Sequence, residues 1–274
     1  MKLFIQNVYS KLKMSKIKFN FSSSMLTASV SICLILSLTG CDNSKMANDV
    51  KTVSKEMKDT AVVSKASLTA MTPDQALQAL KDGNQRFVEG KSKSYDYVKQ
   101  VKATAMGQNP PVIVVGCMDS RTAPEIVFNQ GIGDIFSVRI AGAFLTKESL
   151  GSLEYACHHV GTKLIVLMSH AKCGAVKGLI GYEKDLAAKK KSDIGNLKYV
   201  FNELQTAEKL AVSAGDYAKM TDDEKCAAIV EKTGEADLNE ILADSPILKG
   251  MVHKGEIKVV TAVYDVETGK VTFN

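Results

Sequence analysis

Cys117-Met118-Asp119-Ser120-Arg121 and, 53 residues after Cys117, His170-Ala171-Lys172-Cys173 are the parts of this chain best suited to chemistry. They offer two thiolates and one imidazole. A carboxylate follows the first thiolate by two residues, and an arginine follows the carboxylate by two more. Zn²⁺ accepts cysteine sulfur and histidine nitrogen in a tetrahedral set, and a catalytic zinc keeps three protein ligands with the fourth position open. Cys117, His170 and Cys173 supply three, and Asp119 can fill or vacate the fourth. A guanidinium fork matches a carboxylate, so Arg121 can hold Asp119 away from an ion. Taken singly, each ligand has an ordinary explanation, since a cysteine at a strand end is usually just small and buried. Coincidence is a poor account of both motifs in this order. His158, His159 and His253 lack ligand spacing.

Both motifs need elements that bring them together. Val112 to Val115 is an unbroken apolar run, as expected of a parallel strand buried on both faces. Ile135–Ile140, Leu164–Met168 and Ile257–Val266 read as further strands, with Val271–Phe273 after the turn Glu267-Thr268-Gly269. Between them Pro124–Phe128 and Ser149–Val160 read as helical, and Ala175 to Glu240 reads as helices broken at Gly178, Gly181, Gly195 and Gly215. Thr72-Pro73-Asp74-Gln75 carries a cap, a first-turn proline and a glutamine three after the cap, opening a helix through Phe87. Strands alternating with helices imply an α/β domain with a mostly parallel sheet. Cys117 and His170 then stand at carboxyl ends of strands, where open α/β sheets bind ligands.

The first forty residues belong to targeting rather than to the fold. Lys2, Lys11, Lys13, Lys16 and Lys18 precede the apolar stretch Met25–Leu38, which is short for a bilayer span. Leu38-Thr39-Gly40-Cys41 reads as a lipoprotein processing site with Cys41 lipidated, which predicts an extracytoplasmic chain anchored to a bacterial membrane, on the periplasmic side. The domain plan is a signal peptide over 1–40, a tether over 41–68 and a zinc domain over 69–274. The chain has 35 basic and 30 acidic residues; the five leader lysines account for the excess, leaving 30 of each over 41–274. Nucleic-acid binding is discarded on that balance. Cys157 and Cys226 remain as either a disulfide or two buried thiols.

The pairing of Cys-x-Asp-x-Arg after one strand with His-x-x-Cys after a later one resembles the β-class carbonic anhydrases, from about Met71 to Asn274. Gly133-Asp134-Ile135-Phe136, Leu153-Glu154-Tyr155-Ala156 and Cys173-Gly174-Ala175 carry the likeness further. The resemblance implies a central, mostly parallel sheet flanked by helices, with an N-terminal helical arm formed by Thr72–Phe87. It implies Zn²⁺ on Cys117, His170 and Cys173, a catalytic dyad of Asp119 and Arg121, and Asp119 as a ligand in a closed state only. Gln108, Phe136 and Tyr155 fall where members bind substrate. The implied activity is reversible hydration of carbon dioxide to bicarbonate and a proton by zinc-bound hydroxide, in a homodimer or homotetramer with the pocket at the interface. A carbonyl sulfide or carbon disulfide hydrolase and a non-catalytic zinc-binding lipoprotein are the alternatives. Gln108 and the lack of tryptophan match the constitutively open members. Ala143 and Ile140 stand where the family usually or often carries asparagine, and Ser169 where glycine is common.

Overall fold

The computed structural model describes residues 59–274. The expected leader, Cys41 and the first part of the expected tether lie outside the described residues. From residue 59 onward the chain is already fastened to the domain, earlier than the expected boundary at 69. Asp59 bridges Tyr95 and pairs with Lys93 at 2.8 Å, and Asn109 donates to the Val63 carbonyl. Leu68, on the short helix α1 (Lys65–Ala70), is 1% exposed. One buried leucine and several long-range polar contacts make this stretch part of the folded body rather than a tether.

Helix α2 (Pro73–Val88) opens as its sequence demands: Gln75 N–H donates to the Thr72 hydroxyl and Thr72 N–H to the Gln75 side chain. This is the expected arm, and it lies on its own chain's sheet through buried Ala76 and Leu80. Buried Asn84 donates to the Val127 and Gly269 carbonyls and accepts from Val271 N–H. Helix α3 (Tyr97–Thr104) follows, capped by Asp96. Its short, weakly apolar turn left no periodicity to read.

The remaining elements are β1 (Val112–Cys117), α4 (Pro124–Val127), β2 (Ile135–Ile140), α5 (Lys147–Glu154) with a π-helical turn (Tyr155–Val160), β3 (Leu164–His170), α6 (Gly174–Ala187), α7 (Leu197–Ser213), a 3₁₀ turn (Tyr217–Lys219), α8 (Asp222–Asp244), α9 (Pro246–His253), β4 (Lys258–Tyr264) and β5 (Val271–Phe273). The sheet order is β2-β1-β3-β4-β5, parallel except for β5. The α/β reading therefore holds. Gly178 and Gly181, expected to break helices, lie inside α6; the chain turns instead near Gly195 and Gly215, both at positive φ. The expected helix over Ser149–Val160 widens into the π turn after Glu154.

Strand alternation sorts the core into two faces. Val112, Val114, Leu164, Val166 and Met168 pack with α2 and α4 on one side. Ile113, Val115, Ile165 and Leu167 pack with α5, α8 and α9 on the other. Every residue of β1 and β3 is buried, which explains why both read as continuous apolar runs. A third cluster caps the carboxyl end of the sheet, joining Cys117 and Cys173 to Phe144, Phe201, Leu204 and Ile229. Cys157 and Cys226 are free buried thiols in different clusters, and burial pushes Cys157 up to about 12.

Candidate metal centre

The chain runs from β1 outward to β2 and then returns past β1 to form β3, so the strand order reverses between β1 and β3. Ligand sites in open α/β sheets lie at such a reversal, beyond the carboxyl ends. Cys117 ends β1 and His170 ends β3. Cys173 follows as the residue that caps α6, after a turn in which Lys172 adopts φ 57°. Ligand atoms of Cys117, His170 and Cys173 lie within 4.8 Å of one another, and all three residues are buried. The expected ligand set is thus brought together.

The donor chemistry fits a soft-to-borderline cation. His170 Nδ1 stands 3.0 Å from the Ala171 carbonyl oxygen, so Nδ1 carries the proton and Nε2 presents its lone pair. That Nε2 is buried without a hydrogen-bond partner, which is costly unless something else occupies the lone pair. The two thiols lean on one another. Hydrogen bonding from Cys173, helped by Gly142 N–H, holds the Cys117 thiol down to about 4, against the effect of burial. Cys173, facing that thiolate and itself buried, is pushed up. A pair sharing one proton beside a bare imidazole nitrogen is a cradle that a divalent cation completes.

Asp119 stands at the edge of this cradle. Arg121 donates to it three times, from its backbone N–H and Nε to Oδ1 at 2.9 Å each and from Nη2 to Oδ2 at 2.7 Å. Those bonds hold the Asp119 carboxyl well below the ordinary carboxylate range. Asp119 Oδ2 is 3.9 Å from His170 Nε2, close enough to reach the cradle yet turned to the guanidinium. Both carboxylate oxygens of Asp119 are thus engaged by the Arg121 guanidinium.

Several supports were invisible in the sequence. The Thr122 hydroxyl donates to the Cys117 and Asp119 carbonyls. Arg139, from β2, donates Nε to the Cys117 carbonyl at 3.0 Å and Nη2 to the Asp119 carbonyl. Gly142 N–H points at Cys117 Sγ, 3.4 Å away. The loop that supplies it carries φ 95° at Gly142 and φ 64° at Ala143. Asparagine enters that left-handed region more readily than alanine, so the unusual Ala143 bears on backbone conformation as well as on lost polar contacts.

The expected substrate-binding residues fall elsewhere. Gln108 Nε2 reaches the Tyr155 hydroxyl at 3.5 Å, and both residues are exposed. Phe136 packs with Ile113, Val115 and Leu153. Among the described residues no hydrogen bond links Gln108 or Tyr155 to the cradle. A cavity of about 460 Å³ is lined by Ala171, Cys226, Val230 and Val263 rather than by Asp119 or Arg121. That cavity is not where the chemistry is concentrated.

Comparison with known proteins agrees with this geometry. A match to the carbonic anhydrase family covers residues 112–271. Carbonic anhydrase 2 of Mycobacterium tuberculosis is 44% identical over 117 residues, 41% of this chain and 55% of that protein, so the chain spans about half the relative's length. Among solved structures, the β-carbonic anhydrase CcaA aligns with a TM-score of 0.57 at 22% identity, over 72% of this chain and 86% of that one. A tetrameric β-carbonic anhydrase of Sordaria macrospora aligns at 0.54 and 23% identity, over 63% and 84%. At those identities the structural likeness is one of fold.

Proposed function

Because the chain belongs to the β-class carbonic anhydrase family, we propose that it catalyses the reversible hydration of carbon dioxide to bicarbonate and a proton, with Zn²⁺ held by Cys117, His170 and Cys173. The observation that carries this reading is the unpartnered, buried His170 Nε2 between two thiols, beside a carboxylate gripped by arginine. A zinc ion held there would supply a water acidified from 15.7 towards about 7, available as a nucleophile at neutral pH. Asp119, ionised, can only accept hydrogen bonds, so it fixes the direction of a water O–H at the mouth. Arg121 keeps the carboxylate from turning inward and taking the water's place. The buried apolar surroundings of Cys117, formed by Ala143, Phe144 and Val176, suit a small and nearly apolar substrate.

Purified protein should bind one equivalent of zinc and accelerate carbon dioxide hydration in a stopped-flow pH-indicator assay. Zinc-loaded, folded protein that is inert at both neutral and alkaline pH removes the activity. Protein that takes up no zinc removes the site as well.

The working form is at least a dimer in this reading, and its support is apolar side chains left exposed among the described residues. Met118 and Ile126 are each 63% exposed and Tyr155 50%, and the Sordaria relative is tetrameric. Gln108 and Tyr155 become substrate-binding residues only if a second subunit brings such a pair to the cradle. Sedimentation finding a fully active monomer refutes this. Residues 1–40 are read as a lipoprotein leader, and mass spectrometry of a mature N-terminus lacking lipid at Cys41 excludes the anchor.

A further inference from the structure

Helix α8 contacts the chain at Cys173, next to His170 and in the loop that faces Cys117, and it does so from one face. The Cys226 thiol lies 4.0 Å from the Cys173 carbonyl oxygen. The Val230 carbonyl accepts the Ser169 hydroxyl at 2.8 Å, one residue before His170. Asp237 Oδ1 accepts the Leu145 N–H at 3.1 Å, in the loop whose Gly142 N–H faces Cys117 Sγ. Positions 226, 230, 234 and 237 follow the i, i+4, i+8, i+11 spacing of a single helical stripe. Ser169, unusual in its position, is thereby accounted for by a partner on this helix.

Asp237 stands out in that stripe. It is 3% exposed, and its Oδ2 has no hydrogen-bond partner. Burying a carboxyl with one oxygen unmatched is unfavourable. What the side chain supplies is an acceptor for Leu145 N–H in a segment where the backbone departs from regular structure: Gly142 and Ala143 are both left-handed, and Ala143, Phe144 and Leu145 are all buried.

Building on the zinc reading of the cradle, we propose that Asp237 is a positioning residue for the metal centre: it pins Leu145, and so holds the 141–146 loop where Gly142 N–H meets the Cys117 sulfur. Groups that orient a ligand from outside the coordination sphere typically matter 10–100-fold for metal affinity. The coupling must also run in reverse, since a contact that favours zinc is favoured by zinc.

The test uses the full chain as wild type, Asp237→Ala and Asp237→Asn, each loaded with Zn²⁺ or Co²⁺. Zinc release to a chromogenic chelator, the cobalt–thiolate absorption bands and circular dichroism are read together. Asp237→Ala is expected to fold, release zinc about 10–100-fold faster and shift the cobalt bands. Asp237→Asn, which keeps an acceptor, is expected to match the wild type. A folded Asp237→Ala protein with wild-type release and wild-type bands overturns the proposal. Hydrogen exchange in the wild type decides independently of whether that variant folds: zinc loading should slow the Leu145 amide along with Gly142, and a Leu145 rate indifferent to zinc overturns the proposal. Wild type that binds no zinc overturns this proposal and the zinc reading together, whereas normal wild-type binding with an indifferent Asp237 overturns this one alone.

Discussion

Gly234 sits where α8 crosses the sheet most closely, and a Gly234→Ala substitution gives the role of that helix a number. A Cβ at this position would stand 2.9 Å from Thr261 Cβ, 3.0 Å from Thr261 Cγ2 and 3.6 Å from the Leu167 carbonyl oxygen. Two effects of opposite sign compete. Alanine in place of glycine favours a helix interior by about 1 kcal/mol. Overpacking costs about 1–3 kcal/mol, and the upper end applies here. The atom met first is attached directly to the backbone of a β-branched residue, on a strand paired to β3 with Thr261 opposite Leu167. It cannot swing aside, so the helix must lift. The net expectation is a loss of about 2 kcal/mol, or a melting temperature lower by roughly 4–8 °C for a domain of this size. Lifting α8 also draws Val230 and Asp237 from their partners, so zinc release should quicken by about tenfold. Thermal melts by circular dichroism and chelator-coupled zinc release measure both. A variant as stable as the wild type refutes the steric reasoning. One that melts early but releases zinc at the wild-type rate refutes the link between helix and cradle.

Arg121→Ala should retain one equivalent of zinc while losing most carbon dioxide hydration at neutral pH, because Asp119 then keeps only the backbone N–H of residue 121; full activity in that variant sinks the gate. Arg121→Lys, a point charge without the fork, should recover only part of the rate. Burial raises the Asp237 pKa well above its ordinary value, so its neutral form is favoured in the folded state. Its contribution is most favourable below about pH 4 and is lost as pH rises towards its folded value, by up to about 1.4 kcal/mol per unit. Asp237→Asn should therefore gain stability over the wild type progressively as pH rises above about 4, the ordinary carboxylate value; urea denaturation showing a pH-independent difference contradicts this. Asn84→Ala strips partners from three backbone groups and should cost about 3 kcal/mol or more while leaving zinc binding unchanged, which denaturation and metal analysis would check side by side.

The cradle and its dyad were legible because their chemistry is written in residue type and spacing, and because β1 and β3 are buried throughout and so read as plain apolar runs. Ligand positions at strand ends followed from that pattern alone. What escaped was set by tertiary contact. Gly178 and Gly181 look like helix breakers, yet α6 runs through both, and Gly178 lies under the Phe201 ring. The π turn after Glu154 leaves no mark in a 3.6-residue periodicity. Residues 59–68 carry no sustained apolar periodicity to announce them as folded, and one leucine with a few long-range hydrogen bonds settles their place. Arg139 and Asp237 act through backbone groups distant in the chain, so no local pattern could expose them.

The reversal of strand order between β1 and β3 has a temporal side. As the chain is made, Cys117 emerges more than fifty residues before its two co-ligands, and it cannot meet them until both strands have found one another across the intervening β2 and its helices. Ion capture is therefore a late event, dependent on a non-local pairing of the kind that forms slowly. Until then the first thiol is a solitary, oxidisable group. On the zinc reading, a newly made molecule has to complete its sheet before it can acquire an ion in this cradle.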